Sequence, residues 1–214
     1  MKYMAGAAAL IIMIVGGMPA EAQIADVAVW GSWAQFGSQE FADPDFDVEL
    51  EFDDGSGFGV SANWFWNENF STELFAMALE TDAVFRVGLG SPLEDINVGS
   101  IDLTPIMLTG QYHFAPRGRV DPYVGAGLAY VLADDLDEFV SEDLEIERVT
   151  IDDELTFVLN AGLGVAFTSS FGLNLDLRYL PLEPASQTVS DPEELDLEMN
   201  PLIVSVGLRY RFGS

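Results

Sequence analysis

From residue 24 onward, apolar and polar side chains trade places at nearly every step along segment after segment. That period of two belongs to strands with one face on an apolar surface; a surface helix would repeat at about 3.6. It predicts eight strands, near 24–36, 57–66, 69–80, 101–114, 119–132, 154–167, 171–182 and 200–212. The connections come in two kinds. Asn67-Glu-Asn69, Ala115-Pro-Arg-Gly118 and Thr168-Ser-Ser170 are short turns, whereas 37–56, 81–100, 133–153 and 183–199 are long. An even strand count with short turns at one end and long loops at the other is the pattern of a transmembrane barrel. The fold class expected is therefore all-β: an eight-stranded antiparallel transmembrane β-barrel with short periplasmic turns and long extracellular loops.

Strand neighbours alternate sides, so each strand can be split into a lipid face and a lumen face. Leu202, Val204, Val206, Leu208, Tyr210 and Phe212 share one face of the last strand. Leu173, Leu175, Leu177 and Tyr179 do so in the seventh, and Phe58, Val60, Trp64 and Trp66 in the second. These faces suit lipid. Trp64, Trp66, Phe70, Tyr112, Phe114, Phe167, Tyr210 and Phe212 gather near the short turns, where an interfacial aromatic girdle belongs. The opposite face holds small residues, among them Ser32, Ser61, Gly125, Gly127, Gly162, Gly164 and Gly207. An eight-stranded interior is about as wide as its own side chains, so such positions decide whether a passage exists.

On the same parity the lumen divides by height. Near the short turns it carries Glu73, His113, Asp176, Arg178, Arg209 and Arg211. Buried charges need partners, so these predict a salt-bridged floor, serving as a plug more readily than as a gate. Toward the loops the inward residues are Phe75, Met77, Leu79, Leu103, Met107, Val131, Leu180 and Ile203. An apolar upper lumen above a polar floor reads either as a path for an apolar guest or as packing filler.

Charge and the chain ends sharpen the picture. Residues 1–22 carry Lys2, an apolar run from Ala5 to Val15 and Ala20-Glu21-Ala22, the order of a secretory signal peptide cut after Ala22. The run is too short for a spanning helix. Residues 23–214 would then form the barrel of a Gram-negative outer membrane. The final Ser205-Val-Gly-Leu-Arg-Tyr210-Arg-Phe212 looks like the terminal insertion signal read by the barrel assembly machinery. The net charge is −28, and the four long loops hold 27 of the 36 acidic residues. Nucleic acid is thereby excluded as a partner.

The motifs Leu108-Thr-Gly-Gln-Tyr112-His-Phe114, Asp121-Pro-Tyr-Val-Gly-Ala-Gly-Leu-Ala-Tyr130 and Asn174-Leu-Asp-Leu-Arg-Tyr179 resemble the OmpW family of small outer-membrane barrels. So does Asn200-Pro201 leading into Gly207-Leu-Arg-Tyr-Arg-Phe212. The resemblance spans most of 24–212 and fades in the loops. It implies an eight-stranded barrel with a hydrophobic upper lumen, passage of small hydrophobic molecules, with an alkane-uptake branch, and sideways exit through the wall. Pro105 falls where the family often places a proline in the fourth strand, and Pro181 is expected to interrupt the seventh. Proline cannot donate to a ladder, so either marks a candidate seam. Two departures stand out: the chain runs on to Gly213-Ser214 past the terminal aromatic residue, and its loops are more acidic than the family pattern.

The function expected is passive uptake of small hydrophobic solutes, with lipid and lipopolysaccharide as surroundings. The alternative is a structural or adhesive barrel whose acidic loops bind cations or surfaces. No catalytic residues are expected, since His113 is the only histidine and no serine is paired with it by spacing. Asp43-Pro-Asp45-Phe-Asp47 has the opening of a calcium loop, but Val48 and Asp54 stand where an EF-hand needs Gly and Glu. Diffuse Ca²⁺ or Mg²⁺ binding by the acidic loops is the most these carboxylates suggest. No cofactor or defined metal site is expected.

Overall fold

The computed structural model describes the backbone at residues 25–37, 39–42, 47–88, 94–133, 140–141, 144–145, 149–151, 153–182, 185–188, 191–196 and 200–213, and side chains within 25–37, 53–81, 102–133, 153–182 and 200–213. The expected signal peptide and the Asp43–Asp45 carboxylates lie outside the described residues.

Eight barrel strands follow in chain order: β1 Ala25–Gln35, β2 Gly55–Phe65, β3 Phe70–Gly88, β4 Glu94–His113, β5 Val120–Ala133, β6 Glu154–Ala166, β7 Phe171–Tyr179 and β8 Leu202–Phe212. Each pairs antiparallel with its sequence neighbour, and β1 closes the barrel on β8 from Ala25↔Phe212 to Gln35↔Leu202. Closure leaves the eight-stranded wall without a free edge, as a strand in lipid requires.

Side-chain hydrogen bonds shape the short turns. Asn67 Oδ1 accepts the backbone N–H of Asn69 and Phe70, both at 2.9 Å, and Thr168 Oγ1 accepts that of Phe171 at 2.9 Å. These are Asx- and Ser/Thr-type turns, in which a short polar side chain replaces a backbone acceptor. Above the turns the girdle forms edge-to-face series across strands. Phe70–Tyr112–Phe114 have ring centres 5.0 and 5.1 Å apart, and Phe171–Tyr210–Phe212 have them 5.1 and 4.8 Å apart. The outer face carries an apolar band, with Val29, Trp33, Phe58, Leu108, Leu128, Phe157, Leu163 and Leu208 all exposed.

The loop ends differ from expectation. β3 has 19 residues and β4 has 20, so both run far into the segment expected to be a loop over 81–100. Within 37–56, Gln39–Ala42 pairs with Asp47–Phe52, which pairs in turn with the upper part of β3. The hairpin of Ala185–Thr188 and Asp191–Asp196 joins Val149–Ile151 in a small sheet of its own. At the other extreme β7 stops at Tyr179, so Leu180 and Pro181 stand just beyond it. Pro181 does not interrupt a strand: its carbonyl accepts the Thr156 hydroxyl, tying the β7 end to β6.

Candidate functional site

The lumen is built in two layers with a septum between them. The upper layer is a single apolar cluster containing Trp30, Phe75, Met77, Leu79, Leu103, Met107, Val131, Val158, Leu180 and Ile203. Phe75, Met77, Met107, Leu180 and Ile203 are 0 % exposed. All eight residues expected in the apolar upper lumen thus lie together, Leu180 held in place by its N–H donating to the Pro201 carbonyl. Trp30 and Val158 were missed, although each shares parity with inward neighbours, Ser32 and Asn160. The missing signal was reach: parity gives a direction and not how far a ring extends.

Trp30 explains one of the lumen glycines. Its indole N–H donates to Ser61 Oγ at 2.9 Å, and its ring lies so close to Gly207 that a Cβ there would come within 2.5 Å of it. Gly162 makes the same room for Tyr123, whose ring such a Cβ would meet at 2.4 Å. These two small residues therefore seat the large side chains of their direct partners on the neighbouring strands, Trp30↔Gly207 and Tyr123↔Gly162. The sequence left it open whether these positions make a passage; at Gly162 and Gly207 the space is filled by Tyr123 and Trp30.

Arg178 forms the septum. It is 0 % exposed, with Cζ 3.8 Å from the centre of the Phe75 ring and 5.7 Å from that of Trp30. Its Nε donates to Asp176 Oδ1 at 2.7 Å and its Nη2 to Glu73 Oε2 at 2.9 Å. A guanidinium is the cation suited to this place, since its faces stack on rings while its edge donates in a fork.

Below it the polar residues are joined in series. Gln111 Nε2 donates to Glu73 at 2.9 Å and Asn63 Nδ2 to Gln111 at 3.1 Å. The Tyr123 hydroxyl donates to Asp176 at 2.6 Å. The expected floor is not one cluster. Arg178 belongs with Glu73 and Asp176, while Arg211 grips Asp26 with two bonds of 2.7 and 2.8 Å and Arg209 stands 3.5 Å from the same carboxylate. His113 makes a third group with Asp121 at 2.8 Å. Asp26 and Asp121, not singled out among the lumen charges in the sequence, each partner a group expected there, Asp26 with Arg211 and Asp121 with His113. The cavity among these groups is about 10 Å³, room for about one water and for no larger solute.

The wall has one irregularity at the height of the apolar layer. The β3–β4 ladder reaches Ala76↔Ile106 and resumes at Leu79↔Leu103, skipping Met77 opposite Pro105, whereas the β4–β5 ladder passes Pro105↔Val131 without a gap. Proline has no N–H to give. Outside the same stretch a groove of about 570 Å³ is lined by Trp33, Gly57, Phe58, Ala78, Leu79 and Thr104, with others.

Known proteins share this architecture and sequence. OprG of Pseudomonas aeruginosa matches with a TM-score of 0.76 at 15% identity, over 90% of this chain and 97% of that one, a likeness of fold. Outer membrane protein AlkL of Ectopseudomonas oleovorans is 29% identical over 79% of this chain and 70% of its own. The dibenzothiophene metabolism operon protein PahQ of Pseudomonas aeruginosa is 25% identical over 80% and 74%. The model of the OmpW family matches residues 16–212. The closed eight-stranded wall, its lipid face and this match agree: the chain is an outer-membrane β-barrel and belongs to the OmpW family.

Proposed function

We propose that this barrel is a passive channel for small hydrophobic molecules, which enter from the loop end, lodge in the apolar upper lumen and leave sideways into the bilayer. The observation that carries this is the layering. An apolar guest finds a matching surface among Phe75, Met77, Leu79, Leu103, Met107, Leu180 and Ile203, and below it a septum and floor bound by buried charge. Passage straight down would part Arg178 from Glu73 and Asp176 at a cost of several kcal/mol. The wall offers an easier way, because the β3–β4 ladder skips Met77–Pro105, with one methionine in the skip and Met107 close beside it. Methionine is unbranched and repacks readily. Pro105 is then the lateral seam. Pro181, beyond the end of β7, is left as an anchor for Thr156. The name of the PahQ relative, from an operon for an apolar sulfur heterocycle, agrees with an apolar cargo.

The test is uptake of radiolabelled octane and naphthalene by cells with and without the protein, with barrel insertion checked by the heat-dependent gel shift. Faster entry with the protein is expected, and Met77→Arg, which charges the apolar layer beside the seam, abolishes the gain while the barrel still inserts. Equal uptake with and without an inserted barrel overturns the reading and turns attention to the acidic loops.

A further inference from the structure

Three side chains at the periplasmic end of the lumen form a series that transport does not use. Ser71 stands second in β3, His113 last in β4 and Asp121 second in β5, all three buried and inward. Ser71 Oγ is 3.0 Å from His113 Nε2, and His113 Nδ1 is 2.8 Å from Asp121 Oδ2. The other Asp121 oxygen accepts the Ala115 backbone N–H at 3.0 Å, so the carboxylate is held from two sides. The imidazole is also held, between the rings of Phe65 and Tyr123, whose centres lie 4.9 and 5.3 Å from its own.

For a neutral imidazole beside an ionised carboxylate, these contacts select one tautomer. An ionised carboxylate can only accept, so in the neutral ring Nδ1 carries the hydrogen and Nε2 is left with a lone pair. The Ser71 hydroxyl then donates to Nε2. Hydroxyl, imidazole base and orienting carboxylate, in that order and at these distances, are the working parts of an acyl-transfer site.

We propose that Ser71 is a nucleophile toward small uncharged esters arriving from the periplasm, with His113 its general base and Asp121 a positioning residue. Ser71 Oγ bonds to the ester carbonyl carbon as its proton passes to His113 Nε2. The bond from that carbon to the alcohol oxygen breaks, and the alcohol leaves with the same proton. Water then attacks the acyl-serine, again giving a proton to His113, and the carboxylic acid departs with the Ser71 hydroxyl restored. The approach is a vestibule of about 400 Å³ at the short-turn end, lined by Phe65, Trp66, Asn67, Glu68, Pro116, Arg117 and Arg211. Its cations are already engaged, Arg117 with Glu68 and Arg211 with Asp26, which favours an uncharged substrate. Phe65 both lines the vestibule and lies against the imidazole, so its ring stands between the approach and the proposed catalytic series.

The experiment treats the purified, folded barrel in detergent with a fluorophosphonate probe and locates the adduct by mass spectrometry, then follows hydrolysis of p-nitrophenyl butyrate. The adduct is expected on Ser71 and is absent in Ser71→Ala and His113→Gln. Phe65→Ala speeds labelling several-fold by opening the approach, which a purely structural hydrogen-bond series would not do. Asp121→Asn slows labelling by about a hundredfold or more, because it releases the imidazole tautomer, and Asp121→Glu restores part of the rate. No adduct on Ser71 in folded wild-type and Phe65→Ala barrels overturns the proposal. So does equal labelling in His113→Gln, or ester hydrolysis no faster than in Ser71→Ala.

Discussion

Gly207 shows how a lumen residue is selected by its partner on the neighbouring strand, Trp30 of β1. Any side chain there drives a carbon into the Trp30 ring, which is itself pinned to Ser61. Gly207→Val should therefore cost about 1–3 kcal/mol through overpacking, read as a lower temperature for the heat-dependent gel shift, with Gly207→Ala falling between. Arg178 is the opposite case, a large residue whose neighbours are chosen for it. Arg178→Met leaves Glu73 and Asp176 buried without their cation and should cost about 3–5 kcal/mol. Adding Glu73→Gln and Asp176→Asn should recover part of that loss, because the penalty belongs to unpaired charge and such effects do not add. If the triple variant melts lower than the single one, the septum is held by packing against Phe75 and Trp30 and not by charge.

At the scale of elements, the interest lies in β3 and β4. A strand crosses the hydrocarbon core with about 9–11 residues, so strands of 19 and 20 residues stand well above the membrane on the loop side. The acidic residues and glycines of 81–100 signal loop, whereas pairing between the two strands, and with Asp47–Phe52, sustains them as strand. Pro105 sits in this long pair at the height of the apolar layer. Pro105→Val supplies the missing N–H, and a hydrogen bond of this kind adds about 0.5–1.5 kcal/mol. The variant should resist thermal unfolding slightly better and carry hydrophobic solutes more slowly. A more stable barrel with unchanged uptake would move the exit away from this seam.

Across the whole molecule, charge is polarised along the barrel axis. Most acidic residues fall in the long-loop segments, while Arg117, Arg119, Arg209 and Arg211 lie at the short-turn end. A negative mouth repels anions, and salt screens that repulsion over about 8–10 Å at physiological ionic strength. Uptake of a neutral solute should therefore be nearly independent of salt, whereas uptake of a carboxylate of similar size should rise with it. A carboxylate rate that falls or stays flat as salt is added would show that the acidic loops do not govern entry.

Alternation alone determined the strand count, the lipid face, the girdle and the inward parity of every expected lumen residue, because a strand's side chains have only two directions and lipid demands one of them. The family motifs were equally legible, being contiguous in the chain. What alternation could not supply was anything that depends on which residues of two strands meet, whether side by side in the wall or across the lumen. Arg178 found Phe75 and Glu73 from the far wall, Asp26 met Arg211 through closure of β1 on β8, and the glycines proved to be seats for Trp30 and Tyr123. Ser71 and His113 are 42 positions apart, and only the register of β3 on β4 brings hydroxyl to imidazole. Parity is a local property of one strand, whereas register and closure are properties of the folded barrel, and the partners of every buried charge are decided by the second.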